Sequence, residues 1–235
     1  MYLILCAMKE EVSEIIEKLD IAEKYSFFGM EFFRGAFSMP AGLRSREAVV
    51  GMTGVGKVMA AMNTQKLIDV FSPQKIIFAG IAGGVSDNID VGDIVVSTDT
   101  IQYDMDASAL GFKIGEIPFT GIRTIEADPE MVSAAKSFKA ENCKITLGRI
   151  LTADRFVSTS NPKERDFLTK EMAGIAVEME GAAAALVAKM NNIPFVVIRV
   201  ISDKCDGKAP KDFNKFLKKS SKLIVDMVLH IVKFF

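Results

Sequence analysis

The segment Phe195-Val196-Val197-Ile198-Arg199-Val200-Ile201-Ser202-Asp203 sets one guanidinium inside an apolar strand and a carboxylate at its outgoing end. A buried charge without a partner costs far more than its burial returns, so the fold must bring acceptors to Arg199. Upstream, Val177-Glu178-Met179-Glu180 runs into an alanine-rich helix. In an extended segment, acids two residues apart point to the same side. Arg199, Glu178, Glu180 and Asp203 therefore read as one polar site at the carboxyl ends of buried strands, where open α/β sheets bind their ligands.

The chain has 235 residues, a length that forms one α/β domain with a sizeable core, so residues 1–235 are expected to be a single domain. Lys plus Arg number 29 against 30 Asp plus Glu, which leaves no basic field to hold nucleic acid and points to a small ligand. The cysteines, Cys6, Cys143 and Cys205, are far apart and never in a C-x-x-C. That excludes a disulfide framework and a zinc site and suits small buried thiols in a reducing cytoplasm. The apolar start Met1–Met8 has no basic leader and is followed directly by Glu10 and Glu11, so it reads as a first strand and not a signal peptide. No stretch reaches the roughly 20 apolar residues of a membrane helix.

Hydrophobic periodicity predicts strands at 2–7, 46–52, 75–80, 93–97 and 194–201, with a hairpin around Gly29-Met30. Helices are expected over 9–19, 56–71, 129–140, 162–172, 181–191 and from about 211. Asp128-Pro129 and Asn161-Pro162 each pair an N-cap with proline at the first helical position. Residues 105–127 read as irregular. The fold class is α/β, a central mixed twisted sheet flanked by helices.

Gly51-Met52-Thr53-Gly54-Val55-Gly56-Lys57-Val58 has the spacing of a phosphate-binding loop, but Val58 stands where such a loop needs Ser or Thr for magnesium. A tight strand-to-helix bend that turns backbone N–H groups toward a ligand fits better. Gly80-Ile81-Ala82-Gly83-Gly84 reads as a second glycine-rich loop, which lacks the dinucleotide order G-x-G-x-x-G and would let a flat ligand lie against backbone. The one histidine, His230, sits in a C-terminal helical segment far from other reactive groups and reads as part of a packing face. This removes Ser-His-Asp, Cys-His and H-E-x-x-H chemistry and leaves carboxylates as the acids and bases near neutral pH.

Six segments occur in one order across nearly the whole chain. They are Ala7-Met8-Lys9-Glu10-Glu11-Val12, Gly54-Val55-Gly56-Lys57, Ala82-Gly83-Gly84, Val91-Gly92-Asp93-Ile94-Val95-Val96, Val177-Glu178-Met179-Glu180 and Arg199-Val200-Ile201-Ser202-Asp203. Together they resemble the bacterial 5′-methylthioadenosine/S-adenosylhomocysteine nucleosidases of the nucleoside phosphorylase superfamily. The resemblance implies hydrolysis of the bond joining adenine to a 5′-thio-substituted ribose, in methionine salvage, by a cytoplasmic homodimer without cofactor or metal.

Carried over position by position, the resemblance makes Asp203 the general acid at adenine N7, which must hold a proton near pH 7 or relay one. Glu11 matches the general base that activates water on the opposite side of an oxocarbenium-like sugar, as in inverting glycosidases. Glu180 matches the acceptor of the ribose hydroxyls, Met179 packs beneath the sugar, Glu178 gives polar support, and Arg199 helps hold the water and the acids. Phe156 matches the ring that stacks on adenine, and Val157 the neighbour whose backbone reads its edge. Met8, Val55 and Phe213 match positions lining the ribose and 5′-substituent, with Ala82, Gly83 and Ser202 also counted as substrate-binding. Ala107, Leu110 and Pro118 match a loop that reaches into the partner's site.

Residues alone favour reading Glu11 as part of a solvated helix face with Glu10 and Glu14, and leave Phe156 equally readable as a core aromatic. Ile81 stands where many members have Ser, which leaves the means of orienting Asp203 open. Ala107 and Leu110 are smaller or less aromatic than in some members. A phosphate-dependent phosphorylase and a silent nucleoside-binding protein remain alternatives. A carboxylate at Glu11 favours water over phosphate. 5′-Deoxyadenosine and aminodeoxyfutalosine join the two thio-nucleosides as candidate substrates.

Overall fold

In the computed structural model, which describes residues 1–140, 143–158, 161–206 and 213–235, the last with side chains from 220 onward, ten strands belong to one sheet. The chain opens with β1 (Tyr2–Cys6), α1 (Lys9–Glu17), the hairpin β2 (Leu19–Phe27) and β3 (Met30–Phe37), β4 (Arg46–Met52) and α2 (Lys57–Phe71). Next come β5 (Lys75–Gly84), β6 (Ile94–Gln102), β7 (Ile125–Glu126), α3 (Pro129–Lys136) and β8 (Ile145–Thr152). α4 (Pro162–Asp166), β9 (Gly174–Glu178), α5 (Gly181–Met190), β10 (Phe195–Asp203) and α6 (Phe213–Phe234) complete it.

Both expected proline-headed helices form, with the Asp128 and Asn161 side chains accepting from Met131 N–H and Lys163 N–H. The second is shorter than expected, because a π turn over Phe167–Glu171 replaces its end. Helix α3 likewise stops at Lys136. The largest departure is β8, which the sequence pattern hides. Gly148 and Arg149 interrupt its apolar run, yet the Ile175 side chain fills the space over Gly148 and Arg149 pairs with Asp99 at 2.6 Å. The glycine run Gly80–Gly84 is not a loop. It is the second half of β5, paired to β10 and β9.

The sheet is mixed. β5 lies parallel to β1 and β10, β10 antiparallel to β6, and β6, β8 and β9 run parallel. β9 then returns antiparallel to β5 at Gly83 and Gly84, so five strands close on one another. The period of two along β5 and β10 sends Ile77, Ala79, Val196, Ile198 and Val200 to the face covered by α1, α3 and α6. Ile76, Phe78, Val197 and Ile201 face α2 and α5. Arg199 shares the parity of Val197 and Ile201 and so points to this second face. Among the described residues no helix is long and apolar enough to cross a membrane. His230 packs between Phe138 and Phe234 and hydrogen-bonds Ser137, as a packing residue would.

Candidate active site

Arg199 is fully buried in the middle of β10 and meets its partners on the α2/α5 face. Its guanidinium pairs with Glu178, lies 3.7 Å from Glu180 Oε2, and stacks over Phe78 with 5.0 Å to the ring centroid. Burial opposes its charge, but Glu178, Glu180 and Glu11 outweigh that cost and raise its pKa. Glu178 ends β9, whereas Glu180 is the N-cap of α5 and no longer extended. The two acids therefore converge on Arg199 because the chain turns between them, not because they alternate along a strand. Glu178 is saturated: Thr152 Oγ1 donates to Oε1, and Glu180 N–H and Gly181 N–H donate to Oε2 at 3.1 and 2.7 Å. It thereby caps α5, where a carboxylate complements the helix dipole.

Glu11 is 2% exposed, unlike its exposed neighbour Glu10, and does not belong to a solvated face. As the third residue of α1 it reaches back to the helix start, and Oε2 accepts from Ala7 N–H at 3.0 Å and Met8 N–H at 2.9 Å. Oε1 crosses to β5 and accepts from Ile81 N–H at 2.9 Å. Gly80 makes this possible. A Cβ there would sit 2.5 Å from Glu11 Oε1 and collide with the Arg199 guanidinium. Burial raises the pKa of Glu11, against the pull of Arg199 and the three N–H donors.

Glu180 is held by Gly56, whose N–H donates to Oε1 at 2.9 Å from the left-handed φ of +93° that heads α2. The glycine-rich bend thus supplies its free N–H groups to carboxylates, the next one, Lys57 N–H, going to Asp154 Oδ1 at 2.8 Å. Burial and the nearby Glu178 push the pKa of Glu180 up to about 7, opposed by Arg199 and the Gly56 N–H.

Asp203 owes its aim to a bulge. Ile201 pairs with Ala82 and Asp203 with Gly83, so Ser202 is an extra residue in β10, a device that re-aims side chains beside active sites. Ser202 Oγ donates to Asp203 Oδ1 at 2.7 Å and lies 3.1 Å from Ala82 O. Cys205 N–H donates to Oδ2 at 2.9 Å, from a backbone with φ +52°, and its Sγ packs on Gly83 where a Cβ would be. Asp203 is thus oriented by Ser202 and Cys205 without a hydroxyl at position 81, and the Ile81 backbone serves Glu11. Sequence reasoning missed Cys205, Thr152, Gly80 and Asp154. Only Asp154, a short acid just before Phe156, carries a readable signal.

A cavity of about 30 Å³ beside Asp203 is lined by Gly83, Phe156, Val157, Glu178 and Met179, with Arg155 and Val177 completing it. Phe156 is 65% exposed and Val157 buried. Met8 and Val55 lie on the loops that deliver Glu11 and Gly56. Phe213 opens α6, but its side chain lies outside the described residues. Ala107, Leu110 and Pro118 sit on the excursion between β6 and β7 and line no part of this cavity. The far larger cavity, about 840 Å³ against α6 and the end of α3, contains none of these groups. Among the described residues no cluster of His, Cys, Asp and Glu is set to hold a metal ion.

The arrangement sets Glu11, Glu178 and Glu180 around one guanidinium, and Asp203 lines a cavity that Glu178 and Met179 also line. The family model described as the phosphorylase superfamily matches residues 2–233. A 5′-methylthioadenosine/S-adenosylhomocysteine nucleosidase of Bacillus cytotoxicus is 35% identical over 230 residues, covering 97% of this chain and 96% of the relative. A Helicobacter pylori MTAN mutant with 5′-methylthioadenosine in the active site superposes with a TM-score of 0.90 at 31% identity, covering 100% of this chain and 98% of the other. The native futalosine hydrolase of Helicobacter pylori gives 0.88 at 29% identity, over 100% and 97%. The chain belongs to the phosphorylase superfamily and, within it, to the 5′-methylthioadenosine/S-adenosylhomocysteine nucleosidases.

Proposed function

We propose that the protein hydrolyses the N-glycosidic bond of 5′-methylthioadenosine and S-adenosylhomocysteine, releasing adenine and the thioribose. The observation that carries this reading is Glu11, a buried carboxylate with a raised pKa beside the Arg199 guanidinium. Glu11, Glu178 and Glu180 surround one guanidinium, a field that repels phosphate and suits a neutral water. A base whose pKa is lifted toward neutrality also takes a proton more readily in the transition state.

In the mechanism, Asp203 donates a proton at N7 as charge builds on the departing adenine, held for that task by Ser202 Oγ and Cys205 N–H. Glu11 takes the proton of the attacking water, and Arg199 balances the charge of the carboxylates around it. Glu180 accepts the ribose hydroxyls over Met179, and Phe156 stacks on the base. Water attack on the sugar face opposite adenine follows inverting logic. No cofactor is required.

The protein acts as a cytoplasmic homodimer in methionine salvage. Exposed Leu110 and Phe119, 73% and 91% accessible, support a partner covering the 105–127 segment and capping the 5′-pocket. Incubating the purified protein with 5′-methylthioadenosine, S-adenosylhomocysteine, 5′-deoxyadenosine and aminodeoxyfutalosine, and following base release, tests the reading. Adenine from the first two is expected; release from neither would overturn it.

A further inference from the structure

The G-x-x-x-x-G-K spacing is not spent on a phosphate, and its lysine has a definite destination. Lys57 Nζ pairs with Asp104 Oδ1 at 2.6 Å and lies 4.0 Å from Asp154 Oδ2. Asp104 in turn accepts from Asp154 N–H at 3.1 Å. Asp154 Oδ1 takes the Lys57 N–H at 2.8 Å and would lie 3.1 Å from any Cβ at position 56. Three segments are tied here: the exit of β6 through Asp104, the exit of β8 through Asp154, and the start of α2 through Lys57. The adjacent residue, Gly56, is the one whose N–H fixes Glu180.

We propose that Lys57 and Asp154 are positioning residues that set the direction of the Gly56 N–H, and through Glu180 the enzyme's preference for a ribose over a deoxyribose. The inference rests on the reading that Glu180 accepts the ribose hydroxyls. Gly56 has no side chain to anchor it and occupies a left-handed backbone conformation, so its orientation depends on what holds its neighbours. Lys57 is held at both its backbone and its ammonium group, and both contacts lead to the Asp104–Asp154 pair. A shift of about 1 Å in a group that positions substrate is sufficient to cost up to two orders of magnitude in rate.

The test compares kcat/KM for 5′-methylthioadenosine with that for its 2′-deoxy and 3′-deoxy counterparts in wild type, Lys57→Met, Asp154→Ala and Glu180→Gln. Misdirecting Glu180 penalises only substrates bearing the hydroxyls, so the ribose-to-deoxyribose ratio should fall roughly tenfold in Lys57→Met and Asp154→Ala. Lys57→Arg should restore it. A purely structural role would lower all substrates together and leave the ratio unchanged. If Asp154→Ala fails to fold, the Lys57→Met ratio decides, and Asp154→Asn, which keeps an acceptor for the Lys57 N–H, should hold the wild-type ratio. A reduced ratio in Glu180→Gln with an unchanged ratio in Lys57→Met and Asp154→Ala would overturn the proposal. An unchanged ratio in Glu180→Gln would instead remove the reading of Glu180 on which it rests.

Discussion

Glu10 and Glu11 are neighbours in one helical turn, yet one faces solvent and the other lies buried over Gly80 with three backbone N–H groups on its carboxylate. Because both oxygens accept from N–H, the amide of Glu11→Gln meets donors on either side. The substitution should therefore lower turnover by roughly a hundredfold or more as a lost base and also cost about 1–3 kcal/mol of stability as an unsatisfied group. Denaturant midpoints beside single-turnover rates check both, and a midpoint and rate equal to wild type would return Glu11 to a surface role. Asp203→Asn should abolish most turnover while nucleoside binding stays within about tenfold, since shape survives and the proton donor does not. Glu180 gives a pH signature. Its pKa of about 7 in the fold stands above the ordinary 4.5, so the folded state holds the extra proton between those values. Its contribution to stability is complete below the unfolded value and is lost as pH rises through 7, on the order of 3 kcal/mol in total. Glu180→Gln should then gain on wild type between pH 5 and pH 8 in urea unfolding. An equal difference at both pH values would contradict the assignment.

At the scale of elements, the segments that carry charge into the core were readable and those interrupted by glycine were not. Arg199 inside an apolar strand demanded carboxylates, and Glu178 and Glu180 do meet it. The geometry of that meeting was not legible, because the turn from β9 into α5 replaces the alternation that the acids' spacing suggested. β8 was hidden since its Gly148 and Arg149 are satisfied by Ile175, Asp99 and the Met172 carbonyl, residues distant in sequence. The Gly80–Gly84 run read as a loop because its glycines answer to tertiary neighbours, Arg199 and Glu11 at Gly80 and Cys205 at Gly83. Gly80→Ala follows as a severe test of β5: its Cβ would displace two buried charged groups at once. Loss of more than about 3 kcal/mol and of activity is expected. An active, equally stable Gly80→Ala protein would show that these groups have room the packing denies them.

For the whole molecule, one sheet closing on itself gathers the ends of β5, β8, β9 and β10 and the start of α1 around a single guanidinium. Three carboxylates about one cation make a field that repels a phosphate dianion and suits a neutral water, as nucleosidase chemistry requires. Association belongs to this scale too. Leu110→Glu should weaken the proposed dimer and reduce binding of 5′-alkylthio nucleosides more than of adenine, as read by sedimentation and titration. Full activity in a monomer would contradict it. The most direct test of the central claim is the identity of the sugar product when purified protein turns over 5′-methylthioadenosine in phosphate buffer. Free 5-methylthioribose, formed at the same rate with and without phosphate, is the predicted result. The sugar 1-phosphate, or turnover that begins only when phosphate is added, would contradict it.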